Sequence, residues 1–254
     1  MNGAIIKRNY ISDFAWSKIL FFVKSLTNVY FKNEESCKWF IEAVYWISRT
    51  GAQWRYLPEK YGNWNTIYKR FNEWSKKNIW TQLLEFCIEE PDLENIMIDA
   101  TIARAHACSA GYGSQETEGL GRSAGGFSSK IHAKVDALGN LLKITITPGQ
   151  QHDSTQAKDL LDQVFDSNIL ADRGYDSDEI RAQIKAQNCI SVIPPRSNRI
   201  VKIEYDKDLY KDRNGVECFF SKIKHFRRVF CRYEKSKRNF VSFLSFVGAI
   251  LWLR

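Results

Sequence analysis

Apolar side chains recur at helical spacing in two segments near the start of the chain. Residues 34–49 predict an amphipathic helix, with Asn33 as its N-cap and Gly51 at its end. Residues 64–76 repeat the pattern behind a second candidate N-cap, Asn63. The apolar sets are Trp39, Ile41, Val44, Tyr45 and Ile47 in the first helix, and Trp64, Ile67, Tyr68, Phe71 and Trp74 in the second.

Two short helices joined by a tight segment, the second amphipathic and basic, resemble the helix-turn-helix arrangement of DNA-binding proteins. Lys69 and Arg70 lie off the apolar face of the second helix and are candidate DNA contacts. The alternative is an ordinary helical mini-domain, because amphipathic basic helices are common. Seven of the eight tryptophans fall between Trp16 and Trp80, so we predict that residues 1–90 form a compact all-α domain with its own aromatic core.

After Pro91 the pattern changes to short apolar runs that are typical of buried strands. Residues 95–99 and 167–172 each predict a strand that ends in an aspartate. Two further runs flank Leu138-Gly139-Asn140, which is a hairpin signature. The remaining predicted elements are the hairpin strands 130–135 and 141–147, a helix over 178–187 capped by Ser177, a strand over 189–193 and a helix from about Tyr210. This order predicts a mixed α/β domain over residues 91–254.

Charge is distributed unevenly along a chain whose net charge is +8. Residues 1–90 carry 13 basic and 9 acidic side chains, a net +4; residues 91–180 carry 7 and 14, a net −7; residues 181–254 carry 17 and 6, a net +11. Such a division suits a protein that binds a polyanion and gathers carboxylates at one site. The alternative is that lysine and arginine merely solvate the surface.

The composition argues against several classes of protein. The longest apolar run, 241–253, is interrupted by Ser242 and Ser245 and is shorter than the roughly 20 residues that span a bilayer, so we expect no membrane association. Residues 1–10 show no signal-peptide pattern. The six cysteines form no CxxC pair and the four histidines are dispersed. This favours reduced thiols in a cytoplasmic, nucleoid-associated protein and argues against a zinc site.

One segment, residues 109–129, is rich in small residues. It contains six glycines and five serines, which predicts a mobile loop. We expect residues 111–126 within it to become ordered on DNA.

Two aspartates are the first candidates for chemistry. Asp99 and Asp172 each follow a predicted strand, and sites in open α/β sheets form at the carboxyl ends of strands. Two such carboxylates in one crevice repel unless a cation or a proton lies between them. Mg²⁺ suits oxygen ligands, and a pair of ions about 4 Å apart activates water or a hydroxyl at a phosphodiester. The alternative is that both are cap or turn residues.

Four polar residues further on share a helical spacing. Tyr210, Arg213, Glu217 and Lys224 fall at offsets 0, 3, 7 and 14, which would place them on one face of a helix. A Glu flanked by Arg and Lys on that face is a candidate metal ligand with phosphate-binding neighbours. The simpler interpretation is a set of surface ion pairs four residues apart.

A basic segment follows, from Lys222 to Arg238, with eight Lys or Arg and one acid. Arg227, Arg228 and Arg232 are its candidate DNA contacts, and aromatic residues are interleaved with them. A helix of this kind can follow a nucleic-acid backbone and stack an unpaired base. We expect Phe226 and Phe230 mainly to pack in the core.

These motifs carry a family resemblance. MIDAT (97–101), GRSAGGFSSKIHAKVDALGN (121–140), ADRGYDS (171–177), IPPRSNR (193–199) and YKDRNGVECFFSKIKHFRRVFCRYEK (210–235) are similar to segments of bacterial insertion-sequence transposases of the insertion-sequence-five family. The resemblance implies an RNase H-like core with the catalytic and metal-binding triad Asp99, Asp172 and Glu217. It assigns Tyr210, Arg213 and Lys224 to the positioning of terminal DNA. Residues 49–74 resemble the helix-turn-helix region of the same family.

The resemblance further implies metal-dependent cleavage and strand transfer on double-stranded DNA, at the terminal inverted repeats and at the target. The cofactor would be Mg²⁺, with Mn²⁺ as a substitute, at two ions per site. The protein would act as a homodimer or higher oligomer on DNA. Two alternatives stay open: a catalytically silent, transposase-derived DNA-binding regulator, and an RNase H-like nuclease acting on hybrids.

Other polar residues compete for these roles. Asp176 and Asp178 are alternatives for the second ligand, although we interpret them as turn and cap residues. His152 and Asp153 could support the site, but a structural turn is the preferred interpretation. We interpret His106 and His132 as structural.

Overall fold

The computed structural model describes residues 10–254. The expectation about a signal peptide falls almost entirely on residues 1–9, outside the described part of the chain. The N-terminal helices are α1 (Asp13–Ser25), α2 (Glu34–Thr50), α3 (Trp64–Lys76) and α4 (Ile79–Cys87). The two predicted helices are therefore confirmed, whereas α1 and α4 were not predicted.

Side chains and backbone at the ends of α2 and α3 explain where these helices begin and stop. Asn33 Oδ1 accepts a hydrogen bond from the Ser36 amide at 2.8 Å, and Asn63 Oδ1 accepts one from the Asn65 amide at 2.9 Å. Each bond satisfies an amide that has no partner within the helix. Gly51 ends α2 in the left-handed conformation with φ 69°, which glycine adopts at little cost.

A seven-stranded mixed sheet forms the second half of the molecule. Its strands are β1 (Asn95–Ala105), β2 (Gly121–Ser123), β3 (Gly126–Val135), β4 (Leu141–Pro148), β5 (Asn168–Leu170), β6 (Ile190–Val192) and β7 (Cys231–Arg232). Strand β1 is central: it is antiparallel to β3 and parallel to β5 and β7. Strand β4 adds to β3 in antiparallel fashion, and β6 adds to β5 in parallel.

Five more helices cover the sheet. They are α5 (Ala157–Leu160), α6 (Asp178–Ala186), α7 (Asn214–Lys224), α8 (Arg227–Phe230) and α9 (Lys237–Trp252). The predicted mixed sheet flanked by helices is thus confirmed. The predicted mobile loop is partly corrected, because β2 pairs with the start of β3 and gives residues 121–129 regular structure. Backbone pairing across that turn outweighs the flexibility that its glycines and serines indicate.

Helix α9 joins the two halves of the molecule through one core. Phe246 of α9 packs against Trp80 with ring centroids 5.2 Å apart, and Phe243 stacks on Phe71 at 4.5 Å. On the sheet side Trp252 donates a hydrogen bond to the Leu141 carbonyl at 2.7 Å. The division at residue 90 remains a prediction, and one hydrophobic cluster extends across it.

None of the helices described over residues 10–254 is long and apolar enough to cross a membrane.

Candidate active site

Asp99 is positioned by the central strand. It lies midway along the eleven residues of β1 and not at the end of a short strand, because β1 continues to Ala105 in register with β3. Alternate residues of a strand share a face, so Asp99 lies on the face of Met97. A Cβ on Gly215 would lie 2.8 Å from the Met97 sulfur, so α7 approaches this face closely. Asp99 consequently faces the start of α7.

Asp172 follows the neighbouring strand, β5, and lies beside Asp99. Leu170, the last residue of β5, is in register with Met97, so two residues later Asp172 falls level with Asp99. Its Oδ1 accepts a hydrogen bond from the Gly174 amide at 2.7 Å and caps the short helix Arg173–Tyr175. The cap interpretation is therefore correct for Asp172, but no described residue hydrogen-bonds its other oxygen.

One guanidinium links the other two carboxylates. Arg213 Nη1 donates to Asp99 Oδ2 at 2.8 Å, and Arg213 Nη2 donates to Glu217 Oε1. The side chains of Asp99 and Arg213 are largely buried, at 17% and 18% exposure, whereas Glu217 is 53% exposed. The predicted surface ion pair between Arg213 and Glu217 exists, and it extends to Asp99.

The surroundings of Asp99 compensate its negative charge only in part. Burial raises the pKa of Asp99, and the nearby negative charge of Asp172 raises it further. The Ala100 amide and the Arg213 guanidinium act in the opposite direction but do not fully offset these effects. A carboxylate of this kind is stabilised by any additional positive charge that reaches it.

Tyr210 and Arg213 lie on a different element from the one predicted. They belong to a short 3₁₀ helix, Leu209–Arg213, and α7 begins only at Asn214. The Arg213 guanidinium carbon nevertheless lies 5.7 Å from the Tyr210 ring centroid. Lys224 ends α7 and is exposed.

The three acids do not form a ready-made metal cluster. Among residues 10–254, no group of three His, Cys, Asp or Glu side chains is close enough to hold one ion. Asp99 and Asp172 are near neighbours, whereas Glu217 is joined to Asp99 only through Arg213. The three carboxylates would still form an all-oxygen donor set, which fits Mg²⁺. In this structure the positive charge between Asp99 and Glu217 is that of Arg213.

Asp176 has a structural role beside this site. It is 3% exposed and pairs with Arg181 at 2.8 Å and with Arg199 at 2.9 Å. Burial alone raises the pKa of Asp176, but hydrogen bonds from these arginines and from the Arg196 amide outweigh it and lower the pKa to about 2. Both carboxylate oxygens of Asp176 therefore already accept hydrogen bonds. Asp178, in the first turn of α6, pairs with Arg199 as well.

His106, His132 and His152 make local hydrogen bonds, which is consistent with the predicted structural roles. His152 caps a short helix through Nδ1, and Asp153 pairs with Lys130 at 2.7 Å. His132 is fully buried, with Nε2 2.7 Å from Thr147 Oγ1, and burial lowers its pKa to about 4. His106 accepts a hydrogen bond from the Cys108 amide through Nδ1.

Two predicted DNA contacts are interior residues, and this corrects their assignment. Arg232 is fully buried and donates to the carbonyls of Glu118 and Glu234, and burial lowers its pKa to about 10. Arg228 is 6% exposed and pairs with Glu234. The segment is not one continuous helix, because α7, α8, β7 and α9 share it. Its breaks turn these two guanidinium groups inward, where no DNA phosphate reaches them.

The other basic residues divide between surface and interior. Lys69 is exposed. Arg70 turns inward, with its guanidinium carbon 4.3 Å from the Phe40 ring centroid, and burial lowers its pKa. Arg70 is therefore only partly exposed, whereas the helix pattern predicted an exposed side chain.

Lys224 and Arg227 line an open groove of about 660 Å³, together with Arg49, His225 and the exposed ring of Phe230. We call it the basic groove. Arg49 was not predicted: it belongs to the distant α2, and its Nη1 donates to the His225 carbonyl at 2.9 Å. Its position in the last turn of α2 is the only signal that the sequence carries. Phe230, expected in the core, is 57% exposed here.

Comparison with known proteins identifies the family. Residues 90–252 match the family model of the transposase DDE domain, and residues 11–84 match that of a putative transposase of the IS4/5 family. The first match covers more than half of the chain, so the protein belongs to the transposase DDE domain family. This confirms the predicted family and, at the level of class, a DNA transposase.

Two relatives of known sequence are similar to parts of this chain. The chain is 40% identical over 132 residues to a putative transposase for insertion sequence element IS6501 of Brucella ovis, a match that covers 50% of this chain and 99% of that protein. It is 34% identical over 101 residues to the uncharacterized protein y4sN of Sinorhizobium fredii, covering 40% and 81%.

Among solved structures, the fold is similar to the piggyBac transposase synaptic complex with hairpin DNA. The identity is 14%, the TM-score is 0.43, and the match covers 74% of this chain and 48% of the other. This chain thus spans about half the length of that transposase. The Mos1 transposase paired-end complex matches with 12% identity and a TM-score of 0.28 over 80% and 78%.

Proposed function

We propose that this protein is an insertion-sequence transposase that cuts and joins DNA with the triad Asp99, Asp172 and Glu217. One observation supports the proposal: Arg213 bridges Asp99 and Glu217, which are far apart in the sequence, and Asp172 lies close enough for its charge to raise the pKa of Asp99. A group that served only to stabilise the fold would not require the buried Asp99 beside Asp172.

Asp99, Asp172 and Glu217 would hold two Mg²⁺ ions, with Mn²⁺ as a substitute, and these ions would supply activation of water and stabilisation of the departing oxygen. Asp172 offers the oxygen that makes no hydrogen bond, and Asp99 offers the one now bonded to Arg213. For Glu217 to act as a ligand, Arg213 has to leave the two carboxylates. A DNA phosphate is the partner that its guanidinium would take up.

The DNA path follows from the exposed cations. The basic groove continues from α7, so Lys224 and Arg227 lie on the route from Glu217 towards α2. Phosphate neutralisation by such side chains supplies sequence-independent affinity. Tyr210 would position the terminal nucleotides, and Lys69 would contact the inverted repeat. The active form would be a homodimer or higher oligomer on DNA.

A catalytically silent DNA-binding regulator is the second candidate. The engagement of Arg213 with two triad residues favours it, because these carboxylates are compensated without a metal. The two functions differ in one respect: only the transposase requires Asp99 to change partners.

A cleavage assay decides between them. The substrate is a supercoiled plasmid with the inverted repeats found in the DNA flanking the coding region, incubated with Mg²⁺ or Mn²⁺. We expect nicking and strand transfer that Asp99→Asn abolishes while DNA binding remains. Asp178→Asn, an exposed acid of the same region, is the matched control and should stay active. Metal-independent binding without any cleavage would favour the regulator.

A further inference from the structure

Tyr175 is a fully buried tyrosine close to the triad. It ends the short helix that Asp172 caps, and its amide donates a hydrogen bond to the Asp172 carbonyl at 3.0 Å. Its ring belongs to the hydrophobic cluster that contains Ile98, the residue before Asp99. The phenolic oxygen makes no hydrogen bond with any described residue, and such buried groups are rare in native proteins. Phenylalanine would fill the same space, so packing alone does not explain the hydroxyl.

A gap in the sheet gives this segment access to Asp99. Strand β5 borders one edge of β1 only as far as Met97, and β7 borders the same edge from Arg104. Strand β3 occupies the opposite edge of β1 over this stretch. Asp99 therefore lies between the ends of β5 and β7, where residues 171–175 continue from β5.

Three negative charges act on the Tyr175 hydroxyl. Burial raises the pKa of Tyr175, and three carboxylates raise it further, those of Asp99, Asp153 and Asp172. The effect of Asp99 is the largest of the three. The positive charge of Arg213 acts in the opposite direction but is outweighed. The hydroxyl therefore keeps its proton, and it is suited to donate to one of these carboxylates because an ionised carboxylate only accepts.

Asp99 is the carboxylate that the proposed chemistry leaves without its present donor. Asp153 already pairs with Lys130 at 2.7 Å. Asp99 is held by Arg213, and this contact has to break before Glu217 can act as a metal ligand. A buried carboxylate that loses one donor is stabilised by another in its place.

We propose that Tyr175 is a positioning residue that donates a hydrogen bond to Asp99 once Arg213 has left. Its hydroxyl lacks a partner in this structure because Arg213 still holds Asp99. Carboxylates that bind a metal ion are themselves hydrogen-bonded, and loss of such a supporting residue weakens metal binding about 10- to 100-fold. The inference rests on the proposed function for the metal that replaces Arg213, whereas the hydrogen bond itself requires no metal.

A first test is made in EDTA, without divalent metal. The full chain is unfolded thermally, with Tyr175→Phe introduced into the wild type and into Arg213→Ala. In the wild type this change removes an unpartnered group, so the melting temperature should stay the same or rise. In Arg213→Ala the hydroxyl has Asp99 as its acceptor, so Tyr175→Phe should lower the melting temperature by about 3 to 10 °C. Equal effects in the two backgrounds would overturn the inference.

Tyr61→Phe is the matched control. Tyr61 is 4% exposed, and its hydroxyl likewise makes no hydrogen bond with any described residue. It packs against Trp46 of α2, with ring centroids 6.5 Å apart, and not beside the triad. Tyr61→Phe should change the melting temperature by the same amount in both backgrounds. A decrease in Arg213→Ala that Tyr61→Phe shares would also overturn the inference.

A second test measures Mn²⁺ binding and does not need the Arg213 variant. Free Mn²⁺ is followed by EPR while MnCl₂ is added to the full chain. We expect Tyr175→Phe to weaken Mn²⁺ binding about 10- to 100-fold and Tyr61→Phe to change it less than twofold.

Asp99→Asn separates this inference from the proposed function. If Asp99→Asn leaves Mn²⁺ binding unchanged, the triad assignment is wrong, and the melting temperatures in EDTA still test Tyr175. If Asp99→Asn weakens Mn²⁺ binding but Tyr175→Phe behaves like Tyr61→Phe, the triad stands and the role of Tyr175 is wrong.

Discussion

Arg213 Nη1 lies 2.8 Å from Asp99 Oδ2, and through this contact one guanidinium compensates an acid that is only 17% exposed. The same side chain holds Glu217. Arg213 therefore supplies the positive charge beside Asp99, and any group that displaces Arg213 has to bring positive charge to Asp99.

Replacement of Arg213 by alanine should make the metal-free protein less stable and more responsive to metal. Loss of a counter-ion from a buried carboxylate costs about 1–3 kcal/mol, and a divalent ion restores the lost charge. We expect Mn²⁺ to raise the melting temperature of Arg213→Ala by more than that of the wild type, and to bind several-fold more tightly. Thermal unfolding with and without MnCl₂, and free Mn²⁺ measured by EPR, check both effects.

Lys211→Ala is the control, because Lys211 is 76% exposed in the same short helix and, among residues 10–254, pairs only with Asp208. An equal Mn²⁺ response in the two variants would show that Arg213 does not compete with metal.

Asp176→Asn should loosen the turn that carries Asp172. Arg196 donates from Nη2 to the Gly174 carbonyl at 2.9 Å, and its own amide is held by Asp176 at 2.7 Å. Because the pKa of Asp176 falls to about 2 in the folded state, against about 3.9 unfolded, its charge contributes roughly 2.5 kcal/mol above pH 4. This contribution is lost as the pH falls towards 2.

Urea unfolding from pH 7 to pH 2 measures that contribution. The difference in free energy of unfolding between wild type and Asp176→Asn should shrink as the pH falls below 4. Asp178→Asn should show a small difference at every pH, since its carboxyl is 89% exposed. A difference for Asp176→Asn that does not change with pH would contradict the assignment.

His132 should make the fold sensitive to mild acid. Burial lowers its pKa to about 4, whereas the unfolded chain takes up the proton near pH 6.5. The unfolded state is therefore favoured progressively between pH 6.5 and pH 4, by up to about 3 kcal/mol. His132→Gln should flatten the dependence of stability on pH in this interval, as followed by urea unfolding. An unchanged slope would mean that other groups cause it.

Gly248→Val should destabilise the whole molecule rather than one half. A Cβ at this position of α9 would lie 2.6 Å from Leu141 Cδ2 and 3.2 Å from Leu84 Cδ1, so larger side chains overpack the junction by about 1–3 kcal/mol. Tryptophan fluorescence, which reports mainly on the N-terminal helices, and far-UV circular dichroism should give one shared and lowered transition. Two separate transitions would support independent domains divided near residue 90.

Local signals in the sequence predicted much of this fold. Asn33, Asn63 and Gly51 mark helix ends through their own backbone chemistry, so periodicity and caps located α2 and α3 to within a residue. The β3–β4 hairpin followed from Gly139, whose φ is 78°. The strands that carry Asp99 and precede Asp172 were predicted, but the extension of β1 beyond Asp99 was not, because that length comes from pairing with β3.

The remaining features of the fold and of the candidate site depend on contacts between distant residues, which no local sequence pattern contains. The basic run after Lys222 gives no indication that Arg228 turns towards Glu234 or that Arg232 reaches the carbonyl of Glu118, 114 positions away. Arg49 likewise joins the basic groove through a partner 176 positions distant. The bridge by Arg213 has a sequence signal in its spacing to Glu217, but the link to Asp99 exists only in the folded chain.

The aromatic contacts of α9 have a consequence for shortened copies of the gene. A chain terminated before Lys237 lacks Phe243 and Phe246, and leaves Phe71 and Trp80 without the rings that cover them. Loss of several buried phenylalanines exceeds the margin by which proteins of this size stay folded. An early stop codon or frameshift should therefore leave no stable folded fragment of this protein.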